Sequence, residues 1–379
     1  GFLVDNIIKN ITLKMPEVEL NEKNTLIFFD EMQECINTAT SLKAFREDGR
    51  YDVICSGSLM GINYKEIESN SVGNKQDYTM YSMDFEEFLW AKGYSEEQIN
   101  ILYNHMLETK PLTKTEYDVM IMNFKDYMVL GGMPAIVNKF IENKNFSGIL
   151  QMQEQRLLDY KEDIAKYAEG LDKFKILNAY NKLAVFLGNE NKKFQISKLA
   201  NGARNREYYG VAQWLSSTGI VNISYCMENC ALPLGENYNP DNYRLYFSDT
   251  GLLIGSLDEE AQEDLRANRN LGVYKGALYE NFVAEGFAKQ GLNLCYYKKE
   301  DSRLEEDFFV RTQNELLPVE VKANSNRSKS LNNLITNERY EDIHHGIKLG
   351  AGNVGYSNRI FTFPYFCTFM IIRFLKEYQ

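Results

Sequence analysis

Histidine, cysteine and long apolar runs are scarce in this chain, and each scarcity removes a class of protein. Three histidines occur, His105, His344 and His345. None is spaced with cysteines as a zinc site requires. The six cysteines, Cys35, Cys55, Cys226, Cys230, Cys295 and Cys367, are scattered. Only Cys226 and Cys230 lie close, with no second pair beside them. A disulfide scaffold is therefore excluded, and a reducing, cytoplasmic location is expected. No apolar run reaches the roughly 18 residues of a membrane span, so no membrane partner is expected. Gly1-Phe2-Leu3-Val4-Asp5 lacks the basic start of a signal peptide. The chain has no initiator Met, which leads us to expect a fragment. A Gly-x-Ser-x-Gly elbow is missing, which disfavours a serine hydrolase. There is no internal repeat and no low-complexity segment.

What is present is substantial. The 379 residues suffice for two to four domains at roughly 100–200 residues each. Apolar residues make up 44%, enough to bury proper cores. The net charge of −11 argues against broad nucleic-acid coating, though not against a local basic patch.

Apolar spacing predicts a helix over Phe2–Met15. Thr25–Phe29 and Tyr51–Cys55 read as strands buried on both faces, with a helix over Thr40–Glu47 between them. Tyr78–Ser82 reads as a third strand, followed by a helix over Asp84–Lys92. Such alternation implies a parallel α/β sheet. Ser95 caps a helix through Met106, and an all-helical stretch runs on to Leu187. Next come helices over Ile196–Ala200 and Asn205–Ser217, then strands Ile220–Met227 and Tyr243–Phe247. That order is a winged helix-turn-helix, with Cys230–Asp241 as its wing; the alternative is a structural helix pair that never meets DNA. After helix Tyr274–Lys289, strands are expected at Asn293–Tyr297, Glu306–Val310, Leu317–Val321, Arg359–Phe363 and Phe366–Arg373, with a helix near Ser330–Leu334.

Two constellations carry chemistry. Leu26-Ile27-Phe28-Phe29-Asp30-Glu31 is an apolar strand ending in Asp-Glu, the Walker B pattern. Asp30 can bind Mg2+ through water, and Glu31 can polarise the water that attacks a γ-phosphate. The next strand ends at Ser56 and Ser58, where a polar group can sense that phosphate. The second constellation is a hairpin turning at Thr312–Asn314. Asp307 lies on its first strand, and Glu320 and Lys322 share one face of its second. Two acids and a lysine there can hold a divalent metal and steady a water. By alternation Glu306 is expected on the opposite, exposed face. In the helical pair, Arg204, Arg206 and Tyr208 are candidates for DNA contact. Lys75 is a candidate for facing a neighbouring subunit's nucleotide, or else a solvated loop lysine.

In order, Phe29-Asp30-Glu31-Met32-Gln33-Glu34-Cys35, Val53-Ile54-Cys55-Ser56-Gly57-Ser58, Tyr81-Ser82-Met83-Asp84-Phe85-Glu86-Glu87-Phe88-Leu89, Gly131-Gly132-Met133-Pro134 and Leu245-Tyr246-Phe247-Ser248-Asp249-Thr250-Gly251-Leu252 resemble a family of bacterial and archaeal AAA+-like ATPases. The resemblance runs over nearly the whole chain. It implies a P-loop core, a helical lid, a winged helix and a C-terminal domain resembling PD-(D/E)xK nucleases. The expected fold class is thus multidomain α/β and α, a partial P-loop-type core with a restriction-endonuclease-like end. The expected boundaries are 1–94, 95–187, 188–262 and 263–379. The resemblance also brings Glu280, on the helix before the hairpin, to the same metal as Asp307 and Glu320. One departure is plain: no G-x-x-x-x-G-K-[ST] loop occurs in the sequence. We therefore expect an N-terminally truncated ATPase, using Mg2+ and, in the full-length protein, ATP. Three functions stay open: an ATP-dependent remodeller acting on DNA, a metal-dependent DNA nuclease under ATPase control, and an interaction module with an inactive nuclease-like end. DNA and self-association are the candidate partners.

Overall fold

The computed structural model describes residues 3–57, 73–168, 170–188, 208, 210–234, 237–257, 259–267, 273–299, 304–322 and 328–378. The chain divides into two units, Gly1–Met80 and Tyr81–Gln379.

In the first unit, α1 (Val4–Lys14) precedes β1 (Leu26–Phe29), a 3-10 turn (Met32–Glu34), α2 (Ile36–Asp48) and β2 (Asp52–Cys55). The α2 helix stops at Gly49, whose φ of 68° supplies the left-handed residue of a helix end. β1 and β2 pair in parallel, with Leu26 opposite Asp52 and Phe29 opposite Cys55, as the strand–helix–strand pattern predicts. The core is Val4, Ile27, Phe45 and Tyr51, with half-buried Phe29 and Val53 against it. Burial on both strand faces was expected and is not found. Ile27 is buried, whereas Leu26 and Phe28 are 55% and 56% exposed. An apolar run is buried on both sides only where layers cover both, and here helices cover one. Tyr78–Ser82 is not a strand: among the described residues it pairs with no other strand, and Tyr78 and Met80 are 82% and 98% exposed.

The second unit opens with helices α3 (Phe85–Ala91), α4 (Glu96–Leu107), α5 (Lys114–Leu130), α6 (Pro134–Asn143), α7 (Ile149–Tyr167), α8 (Gly170–Gly188) and α9 (Val211–Ser217). Asp84, Ser95 and Thr113 start α3, α4 and α5 with reciprocal capping boxes. Pro134 sits at the start of α6, where its missing N–H costs nothing. A hairpin follows, β3 (Val221–Met227) and β4 (Tyr238–Phe247), then α10 (Thr250–Gly255), α11 (Glu259–Arg266) and α12 (Val273–Lys289). The rest is β5 (Cys295–Lys298), β6 (Glu305–Glu306), β7 (Phe308–Arg311), β8 (Leu316–Lys322), α13 (Lys329–Thr336), β9 (Gly346–Gly350), β10 (Gly355–Ser357), β11 (Ile360–Pro364), a 3-10 turn (Tyr365–Met370) and α14 (Ile371–Tyr378).

Two sheets result, ordered β4-β3-β5-β6 and β10-β11-β9-β8-β7. The β3–β4 hairpin matches the expected strand pair, and α9 matches the end of the expected second helix. The first, Ile196–Ala200, lies outside the described residues. The hairpin is no free wing, because β3 also pairs in parallel with β5. Phe366–Arg373 is a second departure, a 3-10 turn running into α14. Phe366, Cys367, Phe369 and Met370 are all buried. The alternation of a half-buried strand is absent, and burial all round suits a helical segment set inside a core. One apolar core runs from Phe85 on α3 through Phe124, Leu215, Phe247 and Phe287 to Phe374 on α14. The helical stretch, the hairpin and the C-terminal sheets therefore share it.

Three motifs from distant parts of the sequence lock together in this unit. Gly132 N–H donates to Asp249 Oδ2, and Gly251 N–H to Asp249 Oδ1, each at 2.8 Å. Met83 N–H donates to Gly132 O at 2.8 Å. A Cβ on Gly132 would lie 1.8 Å from Met83 O, and one on Gly251 would lie 2.4 Å from Leu130 O. Glycine is required here by close approach of backbone to backbone. Beneath the turns, buried Glu285 on α12 accepts from Tyr127 Oη at 2.7 Å and from Thr250 N–H and Oγ1 at 2.6 Å. Lys289 donates to Glu285 and, at 2.9 Å, to Met83 O.

Candidate functional sites

The first site lies at the ends of β1 and β2. Their pairing continues one step past the strands: Ser56 N–H donates to Phe29 O and Met32 N–H to Ser56 O, both at 2.9 Å. Asp30 and Ser56 are thereby set side by side. Ser56 Oγ donates to Asp30 Oδ1, and Glu31 N–H donates to the same oxygen at 3.1 Å. Asp30 and Glu31 are both exposed. Glu31 has φ 50°, a left-handed backbone that costs a non-glycine residue about 1–2 kcal/mol. Strain of this kind gathers at functional turns. A carboxylate oriented through one oxygen at an exposed strand end fits a water-linked Mg2+. Ser58 lies outside the described residues. Lys75 pairs with Asp77 at 2.8 Å.

The second site surrounds Arg244, which sequence reasoning missed. Arg244 lies on β4 and is fully buried. Its Nη1 is 3.2 Å from Glu280 Oε1 and 3.7 Å from Asp307 Oδ1, and its Nη2 donates to Glu305. The guanidinium carbon lies 4.0 Å from the centroid of the Tyr296 ring. Burial disfavours its charge, yet Tyr246, Asp307 and Glu305 together hold its pKa above the ordinary arginine value. Tyr246 Oη donates to Glu280 Oε1 at 2.5 Å. Glu280 on α12 and Asp307 thus meet at one arginine nitrogen. The one signal for Arg244 in the sequence is a lone charge inside an apolar strand.

Asp307 does not lie on a regular strand. It forms a bend where the chain leaves β6, in one sheet, for β7, in the other. Its Oδ2 accepts the Val321 N–H at 2.9 Å, just past the last β7–β8 pair. Glu320 and Lys322 share a face and pair at 2.8 Å, while Val319 is fully buried behind them. Glu306 was expected to be exposed and is 1% exposed. Alternation holds through the bend, with Glu305 and Asp307 half-buried and Glu306 and Phe308 buried, so Glu306 does take the face opposite Asp307, and that face is the covered one. Both Glu306 oxygens, and Glu320 Oε2, are buried without a hydrogen-bond partner among the described residues. Burial, then repulsion from Glu320 and Asp307, pushes the Glu306 pKa well above the usual carboxylate range. Burial lowers the Lys322 pKa, but the hydrogen bond to Glu320 and the charges of Glu320, Asp307 and Glu306 together outweigh it and leave a net rise.

This donor set does not suit a shared divalent ion. Among the described residues no group of three or more His, Cys, Asp or Glu side chains is placed to hold a metal. Glu280 and Asp307 are engaged by Arg244, and Glu320 by Lys322. Of the DNA candidates, Tyr208 is 4% exposed and packs in the core, with Lys175 Nζ 5.6 Å from its ring. A buried ring cannot stack on a base. Arg204 and Arg206 lie outside the described residues. No helix among the described residues is long and apolar enough to cross a membrane.

These features define a mixed α/β chain with a parallel strand pair at its N-terminal end. Residues 3–89 match the family described as AAA domain, which makes this part AAA-like. Residues 121–263 match Domain of unknown function (DUF8612), and residues 275–366 match Domain of unknown function (DUF4143). The AAA match ends within α3, inside the second unit. No curated protein and no solved structure matches the chain.

Proposed function

We propose that the chain carries the hydrolytic side of an AAA-like ATPase site, attached to a C-terminal module that binds rather than cleaves. The carrying observation for the ATPase is the hydrogen bond from Ser56 to Asp30 across the aligned ends of two parallel strands. Asp30 would hold Mg2+ through water, and the bound ion would neutralise charge on the phosphates. Ser56 keeps the Asp30 carboxylate oriented. Glu31, presented outward by its left-handed backbone, is the base that orients the attacking water. A phosphate-cradling Gly-Lys-Thr loop is not among these residues and is the remaining part of such a site. The test is ATP turnover in a protein carrying this chain together with such a loop. Asp30→Asn and Glu31→Gln should abolish turnover, and Ser56→Ala should lower it. Undiminished turnover in Glu31→Gln would remove the assignment.

The C-terminal reading rests on Glu280, Glu305, Asp307 and Glu320 being paired with Arg244, Lys298 and Lys322 from within the chain. Side chains held this way build a rigid surface rather than an open metal centre. Nicking of supercoiled DNA with Mg2+ or Mn2+, lost in Lys322→Ala, would overturn this reading in favour of the nuclease.

A further inference from the structure

The acid cluster of the C-terminal region poses a charge problem that the chain answers itself. Glu280, Glu305 and Asp307 lie around one buried point. Three carboxylates this close repel, and burial without a cation would be prohibitive. In a metal-binding fold a divalent ion would supply the compensation. Here two side chains do so: Arg244 at the centre, and Lys298, 3.0 Å from Glu305 at its edge. Together they bring the same charge as one divalent ion. We propose that Arg244 is the resident cation of this cluster, occupying the space a metal would need and closing the site to it. This deepens the binding-module reading above and rests on it.

Geometry supports the exclusion. The acid oxygens stand 3.2 and 3.7 Å from Nη1, whereas Mg2+ demands oxygens at about 2.1 Å. A metal would have to expel Arg244, which is fully buried and stacked on Tyr296. The arginine also comes from elsewhere in the chain: β4 lies in the segment matching DUF8612, and the acids lie in the segment matching DUF4143. The ion pairs therefore staple the two segments together.

Mn2+ binding to the full chain tests this, read by the electron paramagnetic resonance of free Mn2+ and by thermal melting. The Asp30→Asn background removes the N-terminal carboxylate as a competing ligand. In it, the native cluster should bind no Mn2+, and Asp307→Asn should change nothing in the titration. Arg244→Met should melt lower, gain one Mn2+ per chain, and recover melting temperature on Mn2+ addition. Adding Glu280→Gln should remove that gain. Mn2+ binding by the native cluster that Asp307→Asn abolishes would overturn the proposal, and this arm needs no folded Arg244 variant. A folded Arg244→Met that gains no Mn2+ would overturn it too. Mn2+ binding without DNA nicking would end this inference and leave the module reading standing.

Discussion

Glu306 gives the sharpest test of the electrostatics. Its carboxyl is 1% exposed, and neither oxygen has a hydrogen-bond partner among the described residues. An unsatisfied buried polar group costs about 1–3 kcal/mol, and an ionised one costs more. The folded chain therefore holds the proton to a higher pH than the unfolded chain, where a glutamate titrates near about 4.3. Above that pH the unfolded state binds fewer protons than the folded state. The stability of the native protein thus falls as pH rises, by up to about 1.4 kcal/mol per pH unit, until the raised folded pKa is passed. Glu306→Gln cannot ionise and escapes this loss. Melting temperatures of the two proteins, measured from pH 4.5 to pH 8, should nearly coincide at the acid end and diverge in favour of the glutamine variant above it. At roughly 2–4 °C per kcal/mol for a unit of this size, the separation at pH 8 should be several degrees. Glu306→Leu also removes the orphaned oxygens and should add a pH-independent gain of about 1–3 kcal/mol. Parallel melting curves, or a glutamine variant less stable than native at pH 8, would refute the assignment of a buried, uncompensated carboxyl.

Other outcomes follow from the same contacts. Gly132→Ala should destabilise by at least about 3 kcal/mol, because its Cβ would strike Met83 O and backbone cannot move aside as a side chain can. Gly276→Ala, on α12 with nothing within 4 Å of the added Cβ, should instead stabilise by about 0.5–1 kcal/mol; chemical denaturation of both decides whether close approach is the cause. Glu31→Gly should raise stability by about 1 kcal/mol by relieving the left-handed backbone while removing ATP turnover, and a stability loss would contradict the strain. Tyr208→Ala should cost about 3–5 kcal/mol as a core truncation and leave any DNA affinity of the folded protein unchanged in a fluorescence titration. Replacing Arg204 and Arg206 together should lower the salt slope of DNA binding by up to about 2 if they touch phosphates, and an unchanged slope places DNA elsewhere.

Local signals were legible in the sequence because they are local. Ser95, expected to cap a helix, satisfies an N–H group within its own first turn. The apolar run ending in Asp30-Glu31 and the hairpin carrying Glu320 and Lys322 are likewise set by residues a few places apart. What the sequence alone determined is this inventory of helices, strands and charged residues, together with the N-terminal AAA-like character. Tertiary structure decided what covers each strand and what meets each charge. Leu26 and Phe28 read as core yet stay open, because burial depends on a second layer that no strand encodes. Glu306 reads as exposed yet is buried, because the strand face opposite Asp307 is the one the fold covers, and alternation alone does not say which face that is. Arg244 reads as an interruption in an apolar strand, and it is the partner of acids 36, 61 and 63 residues further along the chain. A charge in an apolar strand has meaning only when the opposite charges around it are known, and the fold alone brings them there.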